Sequence, residues 1–368
     1  MNEMAWCTRC WVPSTRPRVT FNEKGVCNAC AWADEKKTID WSHRQEFFKN
    51  LVSKYDNVFV PWSGGKDSVY VAYKVREMGA KPILITVLPH LETEIGKWNR
   101  QHLCPDFEHV ELTLPENRYR DQARRYLLKD GRPKHPWETA ISAVVIRYAL
   151  KEHGKALLVY GEEGEAEYGG VTRELDRWML PVDRKYLLDY YYSENPLSDP
   201  AWELPEEEGF ARIFMTQWSR FENWNPSEHA NFAVAKGMRT EPVRNVGTFT
   251  QSSQLSDDLQ DLHAYLMFLK FGFGRATSDA CIGIRDGWIR RDEGLDWIET
   301  YDGEFPNHLI PKYLDYFRMT EDEFIRCLAT HANKELMKHD NKWIWHLDTY
   351  WTKKRRKGSI LENDGRFD

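Results

Sequence analysis

A parallel α/β sheet with helices on both faces is the fold this sequence predicts, with a small cysteine module in front of it and a mostly helical region behind. Three observations predict it. Between residues 58 and 160, short apolar runs rich in β-branched residues alternate with helix-length periodic segments, the pattern of strands joined by crossover helices. A glycine-rich turn, Ser63-Gly64-Gly65-Lys66-Asp67-Ser68, lies between one such run and a helical pattern. Two Cys-x2-Cys pairs, Cys7/Cys10 and Cys27/Cys30, stand sixteen residues apart near the front.

The elements follow in order. Residues 1–40 are expected to form the cysteine module. Its spacing fits a tetrahedral four-thiolate site for a structural Zn2+, because four protein sulfurs leave no open position. An iron–sulfur cluster is the second reading of such spacing, and a redox-active cysteine pair the third. Residues 20–26 read as strand, turn and strand, a zinc-ribbon-like hairpin. A charged, helix-like linker covers residues 34–55.

Residues 41–245 are expected to be the sheet domain. A strand at 58–62 enters the glycine turn, and a helix follows with Val69, Ala72, Tyr73 and Val75 on its apolar side. Strands are predicted at 81–88 and 107–114, and helices at 92–103 and 116–129. A strong helix at 136–153 is stopped by Gly154. The next buried strand is 156–160, and 213–218 adds another. Residues 246–368 read as mostly helical, most clearly at 257–271 and 320–331. The basic run at 353–357 reads as a solvated tail.

In an open parallel sheet, ligands bind at the carboxyl ends of the strands. The glycine turn sits at one such end. Unpaired N–H groups at the following helix start, the Lys66 charge and the hydroxyls of Ser63 and Ser68 together suit an anion. The Walker-A spacing is absent. Ser63, Gly64, Gly65, Lys66, Asp67 and Ser68 are therefore candidate phosphate contacts, with Val87 and Gly161 at the ends of neighbouring strands. The strand at 156–160 runs into Gly161-Glu162-Glu163-Gly164-Glu165-Ala166-Glu167. Carboxylates packed so closely repel one another, and near phosphates they suit Mg2+; Glu162 and Glu165 are the first candidates. Lys270 and Arg275 flank Gly272 and Gly274. Cations there suit a pyrophosphate or an anionic sugar, and equally a helix C-terminus.

The net charge of −6 and the lack of a basic stripe argue against a nucleic-acid binder. No apolar run approaches the ~18 residues of a membrane span, and the first residues lack a signal pattern. A cytoplasmic protein with reduced cysteines is expected. Cys104, Cys281 and Cys327 read as small buried residues.

The Ser-Gly-Gly-x-Asp-Ser turn resembles the PP-loop of the ATP pyrophosphatase, adenine-nucleotide alpha-hydrolase-like families. The acidic glycine segment resembles that of asparagine synthetases, a PP-loop family. Taken with Cys7-Thr8-Arg9-Cys10, Pro13-Ser14-Thr15-Arg16-Pro17, Gly25-Val26-Cys27-Asn28-Ala29-Cys30 and the stretch from Lys270 to Thr277, the chain resembles the bacterial N-acetyl sugar amidotransferases. These include the pseudaminic acid and O-antigen amidine-forming enzymes of flagellin glycan and lipopolysaccharide biosynthesis. Trp11 stands where that family more usually has a smaller aliphatic residue.

The resemblance implies an ATP-dependent reaction. ATP adenylates the acetamido oxygen of an N-acetylated, nucleotide-linked or acidic sugar. Ammonia then displaces AMP, and an acetamidino group forms with release of pyrophosphate. Lys66, Asp67, Glu162, Glu165, Lys270 and Arg275 are the implied catalytic set. Asn2 follows Met1, and no Gly-x-Cys-x-Gly elbow is present, so a glutaminase nucleophile is not expected in this chain. The resemblance implies ammonia from partners similar to the glutaminase and cyclase subunits of histidine biosynthesis (HisH-like and HisF-like). Two competing readings are a PP-loop tRNA-modifying enzyme of the thiolation type and a scaffold with a vestigial nucleotide fold.

Overall fold

The computed structural model describes residues 4–161, 167–169, 178–192, 200–340 and 344–363. Its centre is a five-stranded, fully parallel sheet with strand order β3-β2-β1-β4-β5. The strands are β1 (Val58–Pro61), β2 (Ile83–Val87), β3 (His109–Leu112), β4 (Ala156–Tyr160) and β5 (Ile213–Gln217). The first three step outward in one direction and the last two in the other. The order therefore reverses between β1 and β4, and a crevice opens at such a reversal.

Strand side chains alternate between the faces. Val58, Val60, Leu84, Leu157 and Val159 join one apolar cluster. Phe59, Ile83, Ile85, Ala156 and Leu158 join another on the opposite face. The helix Lys66–Glu77 packs on the first side. The helix His135–His153 packs on the second, through Ala140, Ala143, Val145 and Ile146. Each predicted strand of the sheet forms, shifted by at most two residues at an end, while the two strands expected within residues 20–26 are reduced to one isolated bridge. The isolated Phe21↔Cys27 bridge and Gly25 at φ +72° make the turn of the expected hairpin.

A third apolar cluster lies in the helical C-terminal part, around Leu262, Leu266, Tyr313, Phe317 and Phe324. The helix Glu321–His331 starts in a capping box, Thr320 with Glu323, which holds two otherwise unpaired helix-end donors. Two features differ from expectation. An antiparallel pair, β6 (Met337–His339) and β7 (Trp345–Leu347), interrupts the helical region. The basic run is no tail: it lies in the helix Thr349–Asn363, where Arg355 is buried and shares Glu299 with Arg356. A cation on one helix face next to an acid on another packs inward, which the run's composition does not reveal. No helix among the described residues is long and apolar enough to cross a membrane.

Candidate nucleotide and substrate site

The glycine turn closes the carboxyl end of β1. Gly64 has φ +72°, and a Cβ there would lie 2.4 Å from the Arg100 backbone nitrogen. Only glycine fits both the left-handed backbone and that contact. The opposing wall is the helix Glu94–His102, fixed by Trp62 Nε1 donating to the Arg100 carbonyl at 2.9 Å and by Asn99 bonding both N–H and carbonyl of Arg239 at 2.8 Å. Ser63 Oγ accepts from the Gly65 N–H at 3.2 Å, and Ser68 Oγ donates to the Gly65 carbonyl at 3.0 Å. These bonds hold the turn open at the N-terminus of the helix Lys66–Glu77, where the helix dipole favours an anion.

Lys66 Nζ and Asp67 Oδ2 pair at 2.5 Å. The other Asp67 oxygen accepts from His229 Nδ1 at 2.8 Å. An ionised carboxylate only accepts, so the proton of this bond sits on Nδ1. His229 is buried on the helix Pro226–Ala235, stacked on Tyr70 at 4.1 Å with Trp224 edge-on at 4.3 Å. Burial alone would raise the Asp67 carboxyl, but the Lys66 charge and the His229 bond outweigh it and hold it down at about 2. Burial would likewise lower the Lys66 ammonium, and the Asp67 charge instead holds it above its usual range.

Three contiguous cavities meet at this turn. The first is an apolar cleft between β1, β2 and β4, lined by Trp62, Val87, Trp137, Ile141, Tyr160 and Gly161 together with Ser63, Gly65, Asp67 and Ser68. It occupies the crevice where the strand order reverses. The second is polar, lined by the turn, Tyr168, Gln254 and Arg275. Arg275 Nε and Gln254 Oε1 are buried there and have no hydrogen-bond partner among the described residues. Buried polar atoms are normally paired, so a donor and an acceptor are left for a bound molecule. Gln254 has φ +58°, a sparsely populated conformation for a residue with a side chain and one that collects at functional sites.

The third cavity is wide, about 740 Å³, and shares Lys66, Tyr168 and Arg275 with the second. Its walls carry Phe249, Trp288, Trp297 and Tyr301 beside Ser227, Asn231, Gln251 and Ser252. Phe249 and Trp297 lie 4.1 Å apart, and Trp288 is 48% exposed. Aromatic faces with scattered amides and hydroxyls suit a molecule that is apolar on one face and hydroxylated at its edges.

The structure thus brings Ser63, Gly64, Gly65, Lys66, Asp67, Ser68, Val87, Gly161 and Arg275 together. Arg275 opens the helix Arg275–Asp286 and is held by Asp279 Oδ1 at 2.9 Å. Lys270 is not in the group. Its Nζ donates to the Asp130 carbonyl at 2.8 Å, at the end of the helix Glu116–Asp130, and it lies two residues before Gly272, the left-handed C-cap of its own helix. Glu162 and Glu165 lie outside the described residues. Glu167, the last of that cluster, accepts from Trp32 Nε1 at 3.1 Å and Lys36 Nζ at 2.7 Å, so its carboxylate serves the cysteine module. His229, Gln254 and the aromatic walls were not foreseen. A helix-capping Asn225-Pro226 marks where His229's helix begins, but no local signal ties His229 to Asp67.

The sulfurs of Cys7, Cys10, Cys27 and Cys30 all lie within 4.8 Å of one another. Cys7 to Cys30 is 3.8 Å, and Cys10 to Cys27 is 3.6 Å. A tetrahedral zinc with bonds of about 2.3 Å requires sulfurs about 3.8 Å apart. Backbone N–H groups of Arg9 and Cys27 point at Cys7 Sγ, and Arg285 Nη1 lies 3.6 Å from Cys10 Sγ. The donor set fits a structural Zn2+, and the N–H groups around the sulfurs offset thiolate charge.

Residues 215–350 match the family described as LPS biosynthesis protein WbpG-like, C-terminal domain. No curated protein matches the chain significantly. Similar solved structures include a predicted subunit of tRNA methyltransferase from Methanocaldococcus jannaschii DSM, 20% identical over 33% of this chain and 62% of that one, with a TM-score of 0.24. This chain therefore spans less than two thirds of that protein. Others are the NH3-dependent NAD synthetase of Campylobacter jejuni subsp. jejuni NCTC 11168 and the NMN synthetase of Francisella tularensis. Each is 12% identical over 55% of this chain, covering 99% and 89% of their own lengths, both with TM-scores of 0.28. The matched region holds His229, Arg275 and the aromatic walls, and over it the chain is similar to the C-terminal domain of the WbpG-like LPS biosynthesis proteins.

Proposed function

We propose that the chain is an ATP-dependent amidotransferase that converts the acetamido group of an N-acetylated sugar into an acetamidino group in LPS biosynthesis. The observation that carries this reading is the continuity of the three cavities across Lys66, Asp67 and Arg275. An adenine fits the apolar cleft, the phosphates the polar cavity, and the sugar the aromatic one. The acetamido oxygen then attacks the α-phosphorus from the side opposite the departing pyrophosphate, and the bond from that phosphorus to pyrophosphate breaks as the new P–O bond forms. Turn N–H groups, Lys66 and Arg275 stabilise the charge that grows on the departing pyrophosphate. Asp67 is the described carboxylate placed to hold Mg2+, which would neutralise the phosphates. Adenylation turns a poor leaving group, an amide oxygen, into AMP, which ammonia displaces. All seven cysteines are buried, and this supports ammonia from a separate glutaminase rather than a thiol nucleophile of this chain.

The test is pyrophosphate release from Mg2+-ATP and ammonium with a panel of acetamido sugars, with mass spectrometry of the products. Replacement of one sugar oxygen by NH, with AMP formed, is the expected result; ATP turnover that requires tRNA instead would overturn the reading. Arg275→Gln is expected to slow pyrophosphate release by about a hundredfold. Its melting temperature should change little, because Asp279 keeps its bonds from Thr248 and Ser253. Trp297→Ala is expected to raise the KM for the sugar about tenfold while leaving the KM for ATP unchanged, since it removes a stacking face in one cavity only.

A further inference from the structure

The cysteine module is tied to the chain leaving β4 by a set of contacts that no metal-binding role requires. Residues 167–169 are held from three sides. The Glu167 carboxylate is buried between Trp32 and Lys36, whose side chain is 7% exposed against 4% for the acid. The Gly169 carbonyl accepts from Asn28 Nδ2 at 2.9 Å, and Gly169, at φ +88°, lies so close to Val19 that a Cβ would sit 2.7 Å from it. Arg16 lies over the ring of Tyr168 at 5.1 Å and over Phe273 at 4.9 Å. Every one of Arg16, Val19, Asn28, Trp32 and Lys36 belongs to the cysteine module or the turn just after it. Tyr168, in the middle of the strap, lines both the polar and the aromatic cavity.

Arg285 completes the link. It is buried, and one guanidinium nitrogen faces Cys10 Sγ while the other donates to the Glu167 carbonyl. A buried guanidinium needs compensating negative charge. A four-thiolate zinc centre carries two net negative charges and supplies it. With those thiolates protonated or oxidised, Arg285 loses that compensation, and the anchor of the strap's backbone carbonyl goes with it.

We infer that the metal-filled cysteine cluster, acting through Arg285 and the buried Lys36–Glu167 pair, is the positioning element that seats Tyr168 in the wall of the phosphate and sugar cavities. The cluster is then a brace for the site rather than a fold-wide staple. Lys36, Glu167 and Arg285 are positioning residues. The link to turnover rests on the functional reading above, while the seating of the strap does not.

The experiment is hydrogen exchange on the full chain, metal-loaded and after removal of the metal with a thiol reagent and chelator, read at peptides covering 167–169 and at β1 and β4. Affinity for Mg2+-ATP is measured alongside. Metal removal is expected to speed exchange at 167–169 at least tenfold, with β1 and β4 unchanged and nucleotide affinity reduced. Lys36→Met, with all four cysteines intact and the metal bound, is expected to reproduce the faster exchange at 167–169. Unchanged exchange there in both cases overturns the inference. Equal acceleration in the sheet overturns it too, since the cluster would then staple the whole fold. Faster exchange with unaltered nucleotide affinity removes the coupling to the site. If the metal-loaded protein binds no ATP, the functional reading fails while the exchange result still decides the brace.

Discussion

Gly64→Ala is expected to abolish nucleotide binding while leaving a folded protein. The backbone at φ +72° costs a residue with a side chain about 1–2 kcal/mol. The larger effect is steric: the new carbon would meet the Arg100 nitrogen at 2.4 Å and Asn99 at 2.7 Å. Neither can yield, because the helix bearing them is bonded to Trp62 and to Arg239. The turn must therefore shift away from the helix Glu94–His102, and its N–H groups lose their common focus. Isothermal calorimetry with Mg2+-ATP should detect no binding, and the melting temperature should fall by several degrees. Unaltered ATP affinity would show that the turn is not the phosphate cradle.

Asp67→Asn is expected to give the second large effect, with a signature in pH. The folded-state carboxyl is held at about 2, below its ordinary value of about 4. Its contribution to stability is therefore present above pH 4 and is lost as the pH falls through about 2. Two units correspond to roughly 2–3 kcal/mol at neutral pH. Unfolding of the wild type and the variant should differ by about that amount at pH 7 and converge below pH 2. Turnover should fall by about a hundredfold or more, because Lys66 and His229 lose their shared partner and, on the proposed reading, a Mg2+ held there would lose a ligand. A pH-independent difference in stability would mean that the ion pair is not what holds Asp67.

Much of this arrangement was legible in the sequence, and particular residues show where legibility ends. β4 is found at its predicted bounds because Ala156, Leu157, Leu158 and Val159 are buried on both faces, and such strands read as continuous apolar runs. The turn and the cysteine pairs were readable because their chemistry is local: spacing alone places the donors. Lys270 and Arg275 show the limit. Both are cations beside glycines, yet one caps a neighbouring helix and the other enters the polar cavity, and only the left-handed Gly272 between them decides which way each points. His229 is 162 residues from Asp67, and the aromatic walls gather Phe249, Trp288, Trp297 and Tyr301 from two loops and one helix. Contacts of that range are made by tertiary packing, and local periodicity carries no trace of them.

Among the described residues, the apolar cleft and the aromatic cavity have no lining residue in common, and both adjoin the polar cavity between them. On the proposed reading, nucleotide and acceptor would therefore rest against different walls among the described residues. Both would then be resident at once, facing each other across Lys66 and Asp67, and an activated intermediate formed there would not have to leave before it is consumed.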